Sequence, residues 1–345
     1  MKNYFPFVFA ILLLTLTACD NSTSSTNITT LSGPTMGTVY TVKIADTTVS
    51  TKQEKLKTDI DRLLVDINQL MSTYVKDSEL SIINQSESID WIQVSEELWT
   101  VLLEAQKISV LSDGAFDVTV GPLVNLWGFG PKVVTRDMLP DEKTIAETMH
   151  AIGYEKLEYD SEAKKIRKLD AGLYIDLSAI AKGYAVDQVA ELLDENGYEN
   201  YMVDIGGELK AKGLPSQERG WRLGIEKPVV DRRSVHKIIE LKNKGMATSG
   251  DYRNFYEVEG KHYSHTINPK TGKPVDHKLA SVTVLHESVM RADALATAFN
   301  VLGPEKGAQL AESQGVSAFF IVYDGEQYKE MSTHDFEQHF VERSE

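Results

Sequence analysis

The start of the chain decides where its folded body can begin. Lys2 is followed by an apolar run from Phe5 to Leu16, broken only by Pro6 and Thr15, and then by Thr17-Ala18-Cys19. A basic residue, a short apolar stretch and a small-residue cleavage site read as an export signal over residues 1–18 rather than as part of a core. The run is too short to cross a bilayer as a mature helix.

Leu16-Thr17-Ala18-Cys19 resembles the lipobox of bacterial lipoproteins, in which the signal is cut before the cysteine and the thiol is acylated. Several acyl chains on one residue anchor stably through simple burial of CH₂ groups. Cys19 is the only cysteine, so no intramolecular disulfide can form. Asn21 to Thr30 (NSTSSTNITT) is polar, uncharged and aperiodic, the composition of a flexible tether. The expected organisation is therefore a signal (1–18), a lipidated Cys19 with its tether (19–30), and a body over 31–345, long enough for a large core. Asp20, directly after Cys19, resembles the signal that retains many Gram-negative lipoproteins at the inner membrane. The expected location is the periplasmic side of that membrane.

The formal net charge is −15, and loss of a signal carrying one lysine takes it to −16. That disfavours nucleic acid and anionic lipid surfaces as partners. It also means that a phosphate-bearing ligand would need a metal or a local basic group to hold it.

Along the body, Thr35 to Ile44 alternates as a strand does. Gln53 to Met71 carries apolar residues at helical spacing, from Leu56 and Ile60 to Leu70 and Met71. Further helices are expected over Glu96–Leu111, Asp141–Ala151, Ala181–Leu193, Val289–Leu302 and Glu305–Ser313. Short strands are expected at Leu157–Tyr159, Lys165–Lys168, Leu173–Ile175, Tyr201–Val203, Glu208–Ala211, Trp221–Ile225, Lys237–Leu241, Phe255–Val258 and Ala280–Leu285. A hairpin, Ala318–Tyr323 with Tyr328–Met331, turns at Asp324-Gly325. This is an α+β pattern: one large mixed body with antiparallel-rich sheets and flanking helices. No G-x-G-x-x-G or Walker motif is present, which argues against a Rossmann or P-loop site.

Four stretches depart from plain core or surface patterning. Gly114 to Gly130 (GAFDVTVGPLVNLWGFG) crowds glycines and aromatics around Asp117. Turn chemistry explains the glycines but not Phe116, Trp127 and Phe129, which suit a flat-ring pocket. Asp176 to Tyr184 (DLSAIAKGY) leads from an extended segment into a helix. Lys182 has the wrong sign for that first turn unless it meets a ligand anion; otherwise Ser178 is an ordinary cap and Lys182 a solvated side chain. His265 ends the run His262-Tyr263-Ser264-His265 ahead of the turn Asn268-Pro269-Lys270-Thr271-Gly272. It is a candidate general base, although a lone histidine is more often a surface residue. Asp293 and Thr297, four apart, project from one helix face, and their oxygens suit a hard cation such as Mg²⁺; the bland alternative is a helix-start charge and a packed threonine.

Taken in order, GPTMGTV (33–39), GAFDVTVGPLVNLWGFGP, DLSAIAKGYAVD, DIGGE (204–208), ATSGDYRN, YSHTINPKTGKPV and ADALATAF resemble the ApbE family of FAD:protein FMN transferases. The resemblance spans about Thr35 to Phe320. It implies that Met36, Tyr74, Ala115, Phe116 and Asp117 contact FAD, with Lys182 and Ile267 completing the pocket. It implies Mg²⁺ on Asp293, Thr297 and a backbone carbonyl of the Ser178–Ala181 loop, taken as Ala179 with Ala181 as the alternative. It makes His265 the proton acceptor. It further implies FMN transfer to a Thr or Ser hydroxyl of a target protein, such as subunits of Na⁺-translocating NADH:quinone reductase or Rnf-type pumps. Two alternatives stand beside it: a Mg²⁺-dependent FAD pyrophosphatase, which needs the same metal and pocket, and a flavin-binding lipoprotein without chemistry, in which the Asp-x-x-x-Thr pair and His265 would be superfluous.

Overall fold

The computed structural model describes residues 28–46, 52–131, 139–216, 219–228, 234–250, 255–258 and 261–342. The signal, Cys19, Asp20 and most of the expected tether lie outside the described residues, as do Asp251 to Asn254.

The frame is an eight-stranded sheet. Its strands are β1 (Thr29–Thr35), β2 (Thr38–Ile44), β3 (Tyr201–Ile205), β4 (Glu208–Lys212), β5 (Lys244–Gly250), β6 (Leu279–His286), β7 (Ser317–Tyr323) and β8 (Tyr328–Thr333). Each pairs antiparallel with the next, so the sheet follows chain order from edge to edge, and the other elements are insertions between neighbours apart from the short stretch Phe336–Val341 that follows β8. The expected α+β class, rich in antiparallel pairing, is what the chain adopts.

Alternate side chains leave opposite faces, and both faces are buried. On β7, Ala318 and Phe320 join a core built with the helices, whereas Phe319 and Ile321 join a second core. The helical layer comprises α1 (Gln53–Met71), α2 (Glu79–Gln85), α3 (Glu96–Leu111), α6 (Ala181–Glu195) and α7 (Val289–Ser313), while α4 (Gly121–Leu126) and α5 (Glu142–Met149) pack a smaller third core with Trp127, Ile152 and Ile267. A three-stranded sheet of Trp221–Glu226, Val235–Leu241 and Phe340–Val341 supplies Trp221, Ile225, Ile239 and Leu241 to the second core.

Several sequence expectations shift. The strand expected over Thr35–Ile44 is the second arm of a hairpin. Met36 and Gly37 both adopt positive φ (47° and 70°), the backbone of a two-residue turn that matches strand twist. The first arm starts at Thr29, so Thr29 and Thr30 belong to the sheet and not to the tether. Leu173–Ile175 is extended but joins no ladder. Asn84 of α2 serves instead of a neighbouring strand: its Oδ1 accepts from the Ile175 N–H and its Nδ2 donates to the Ile175 carbonyl, each at 2.8 Å. The Asp176 N–H then donates to the Val118 carbonyl at 2.7 Å. The short helices α2 and α4 and the strand β5 were not expected. The two helices expected on either side of residue 303 are both present: Gly303 turns to φ 78° between them and Pro304 restarts the helix, the two halves of α7.

Candidate active site

The aromatic wall grows from the end of α3. The Phe116 N–H donates to Ser112 Oγ at 3.0 Å, and Ser112 Oγ donates to the Ile108 carbonyl at 2.7 Å, so the chain turns sharply into residues 115–118. Asp117 organises that turn. Its Oδ1 accepts from the Thr119 N–H and hydroxyl, each at 2.7 Å, and its Oδ2 from the Tyr154 N–H at 3.0 Å. Burial pushes its carboxyl above the usual range, against these donors, which pull it down. Beyond α4, Trp127 donates to the Gly272 carbonyl at 2.8 Å. A ladder of rings then runs Trp127–Tyr263–Tyr256–Phe129, with centroids 5.2–5.8 Å apart, and Phe129 stands edge-on to His265 at 6.3 Å. The ladder ties the α4 loop to the hairpin of Phe255–Val258 and Lys261–Ser264.

The floor is made where β4, α6 and α7 meet. No side chain caps α6; Ser178 turns to Asp176 instead, its N–H donating to Asp176 Oδ1 at 2.9 Å. Lys182 in the first turn of α6 pairs with Glu208 of β4 at 2.6 Å. The Gly183 N–H donates to Asp293 Oδ2 of α7 at 3.1 Å. Glu208 and Asp293 are nearly buried, each 6 % exposed or less. Burial drives the Glu208 carboxyl up to about 7, with Lys182 opposing and the Asp293 charge adding to the rise. Burial likewise raises Asp293, against Lys182 and the Gly183 N–H. Burial works against the Lys182 ammonium too, but Glu208 and Asp293 override it and hold Lys182 above its ordinary value.

Between wall and floor lies a cavity of about 520 Å³. Of the sequence-derived residues, Tyr74, Ala115, Phe116, Asp117, Ala179, Lys182, His265, Ile267, Asp293 and Thr297 all line it. Met36 lines an adjoining groove of about 630 Å³, which shares Tyr74, Ser178 and Lys182 with the cavity. Segments more than 250 residues apart in sequence, from Met36 to Thr297, thus converge on one continuous depression.

Glu208 stands in the DIGGE stretch, where nothing in the sequence assigns it a role. The signal was available in part: Glu208 follows Gly206-Gly207, both at positive φ (66° and 109°), at a strand start. What sequence hides is the register. Leu209 and Ala211 face the small sheet, so Glu208 and Lys210 must face α6, where each finds an opposite charge.

The donor set suits a hard divalent cation. Two buried carboxylates face one ammonium, leaving an excess of negative charge where desolvation is severe, and a cation beside Asp293 would relieve it. The oxygens of Asp293 and Thr297 and the carbonyls at 178–181 are of the kind Mg²⁺ prefers. Among the described residues no three His, Cys, Asp or Glu side chains form a metal-binding group.

A mixed α/β body rich in antiparallel sheet is the architecture of flavin transferases of known structure. The chain is 45 % identical to the flavin transferase ApbE from Vibrio cholerae, with a TM-score of 0.84 over 91 % of this chain and 99 % of that one. It is 39 % identical to the flavinyl transferase ApbE of Pseudomonas stutzeri, with a TM-score of 0.82 over 91 % and 97 %. In sequence it is 43 % identical to the FAD:protein FMN transferase of Haemophilus influenzae over 93 % of this chain and 94 % of that protein. Residues 36–320 match the ApbE family, and the chain belongs to it.

Proposed function

We propose that this enzyme, a transferase by its relatives, moves the FMN half of FAD onto a Thr or Ser hydroxyl of a partner protein and releases AMP. The observation that carries the reading is the meeting of an aromatic wall, a lysine, two buried carboxylates and His265 at one cavity. FAD combines a flat ring with a pyrophosphate, and the site offers surfaces for both.

The target hydroxyl oxygen attacks the FMN-side phosphorus, the bond to the AMP oxygen breaks, and His265 takes the hydroxyl proton. Such transfers rely on positioning and charge neutralisation more than on covalent help. Asp293, Thr297 and the Ala179 carbonyl would hold Mg²⁺, which would supply Lewis-acid neutralisation of the phosphate charge. Lys182 at the start of α6 holds the anion beside the helix N-terminus. Phe116 and Phe129 bound the ring side, and Asp117 keeps that wall in shape through Thr119 and Tyr154.

The partner we infer is a subunit of a membrane redox pump of the Na⁺-translocating NADH:quinone reductase or Rnf type. The enzyme would reach it from a lipid anchor on Cys19 at the periplasmic face of the inner membrane. Among the described residues no helix is long and apolar enough to cross a membrane. The test is AMP release from FAD, with and without Mg²⁺ and a candidate partner, read alongside intact mass. Mg²⁺-dependent AMP release with a mass gain of one FMN on the partner is expected. AMP release with no mass gain makes the protein a pyrophosphatase, and no AMP under any condition makes it a binding protein; either overturns the proposal.

A further inference from the structure

Two ion pairs of opposite polarity join β4 to α6. Glu208 meets Lys182 at 2.6 Å, and Lys210, two residues along the same face, meets Asp187 at 2.9 Å. The first pair lines the cavity; the second stands behind it. Asp187 does more than answer Lys210. Its other oxygen, Oδ2, accepts from the Ser288 hydroxyl at 2.8 Å and from the Met290 N–H at 3.1 Å. Ser288 is the N-cap of α7 and accepts in turn from the Arg291 N–H at 3.3 Å. One carboxylate therefore holds a strand, its own helix and the first turn of the helix that carries Asp293 and Thr297.

The spacing along α6 gives this grip its direction. Asp187 lies four residues after Gly183, on the same helix face. At Gly183 the backbone of α7 comes so close that a Cβ would sit 2.4 Å from the Val289 carbonyl oxygen. The Gly183 N–H reaches Asp293, and Ala179, Ser178 and Lys182 lie within the turn before it. Asp187 thus clamps the point about which the two halves of the oxygen donor set face each other. Residues that orient ligands without touching a metal can shift its affinity by about 10–100-fold.

We propose that Asp187 is a positioning residue: by latching the start of α7 to α6 and β4 it sets the separation between the 178–181 carbonyls and Asp293, and so the affinity of the cavity for a divalent cation. The inference rests on the reading of Asp293 and Thr297 as cation ligands. Asn at position 187, with its Oδ1 turned to α7, keeps an acceptor for both α7 hydrogen bonds and loses the charge and the hydrogen bond toward Lys210. Ala loses everything.

The test is Mn²⁺ binding followed by the electron paramagnetic resonance of the free ion, on the full-length protein in detergent, with and without FAD. The Mg²⁺ dependence of transfer is measured in parallel. Asp187→Ala should weaken Mn²⁺ binding by about ten-fold or more, while the rate at saturating Mg²⁺ stays within about three-fold of wild type. Asp187→Asn should rescue binding to within about three-fold. If Asp187→Ala fails to fold, Ser288→Ala carries the test, with a loss of roughly three- to ten-fold expected. Wild-type affinity in Asp187→Ala, or in Ser288→Ala where it stands in, overturns the proposal, as does an Asn variant no better than the Ala variant. Wild-type protein that binds no Mn²⁺ in either condition overturns the cation reading itself, which separates that failure from failure of the latch.

Discussion

Replacing Gly183 by alanine tests the geometry of the floor, because the clash there is with backbone. The added Cβ would lie 2.4 Å from the Val289 carbonyl oxygen and 2.7 Å from Met290 Cα, neither of which can rotate away. Restoring an ordinary contact requires α6 and α7 to part by about 1 Å. Overpacking of this kind costs about 1–3 kcal/mol. Alanine's better helix propensity recovers at most about 1 kcal/mol of that, since Gly183 lies in the first turn of α6. The net loss of about 0–2 kcal/mol should lower Tm by no more than about 4–8 °C. The same movement carries the Gly183 N–H, now 3.1 Å from Asp293 Oδ2, out of hydrogen-bond range. Catalysis should therefore fall much further than stability, with the Mg²⁺ concentration for half-maximal transfer rising by about 10–100-fold. A thermal melt and a Mg²⁺ titration of FMN transfer check both halves. A Gly183→Ala enzyme with the wild-type rate and Mg²⁺ dependence would refute the claim that this close approach sets the site.

Asp293→Ala should abolish transfer while the far-ultraviolet circular dichroism stays that of wild type; near-normal transfer at low Mg²⁺ would remove Asp293 from the cation site. His265→Ala should slow transfer by about 10²–10⁴ with little loss of FAD affinity, as expected for removal of a general base. Weaker FAD binding with unchanged turnover at saturation would instead make His265 a binding residue. Cys19→Ala should leave an unanchored or uncleaved protein with unaltered chemistry in solution, and a processed variant still retained by membranes would exclude lipid on Cys19. Wild-type protein should band with the inner membrane on a density gradient and Asp20→Ser should move away from it; a wild type in the outer membrane defeats the argument from Asp20. An enzyme anchored as proposed would share its membrane with a neighbouring partner. A shared membrane also raises the effective concentration of that neighbour.

Much of the molecule was legible in its residues because the signals are local. The 3.6-residue rhythm of Gln53–Met71 places that helix, with Leu56, Ile60, Leu64, Ile67 and Met71 buried as the pattern requires. Gly303-Pro304 marks the break in α7 from chemistry alone, since one residue adopts φ 78° and the next cannot continue the hydrogen bonding. The ordered motifs also nominate a set of site residues that the fold then gathers at one cavity.

What the tertiary structure alone decided depends on partners remote in sequence. Leu173–Ile175 has the composition of a strand, yet its ladder is replaced by the Asn84 amide, 91 residues away. The alternation in Glu208–Lys212 reads equally well with its charges toward water. Only the small sheet, by covering Leu209 and Ala211, turns Glu208 and Lys210 onto α6. Asp187 in sequence is one more polar residue on a helix; its three partners come from β4 and from the first turn of α7, more than 100 residues on for two of them. Periodicity reports which face of an element is apolar. It carries no record of which charged groups will be desolvated together, and the chemistry of this cavity is set by that desolvation.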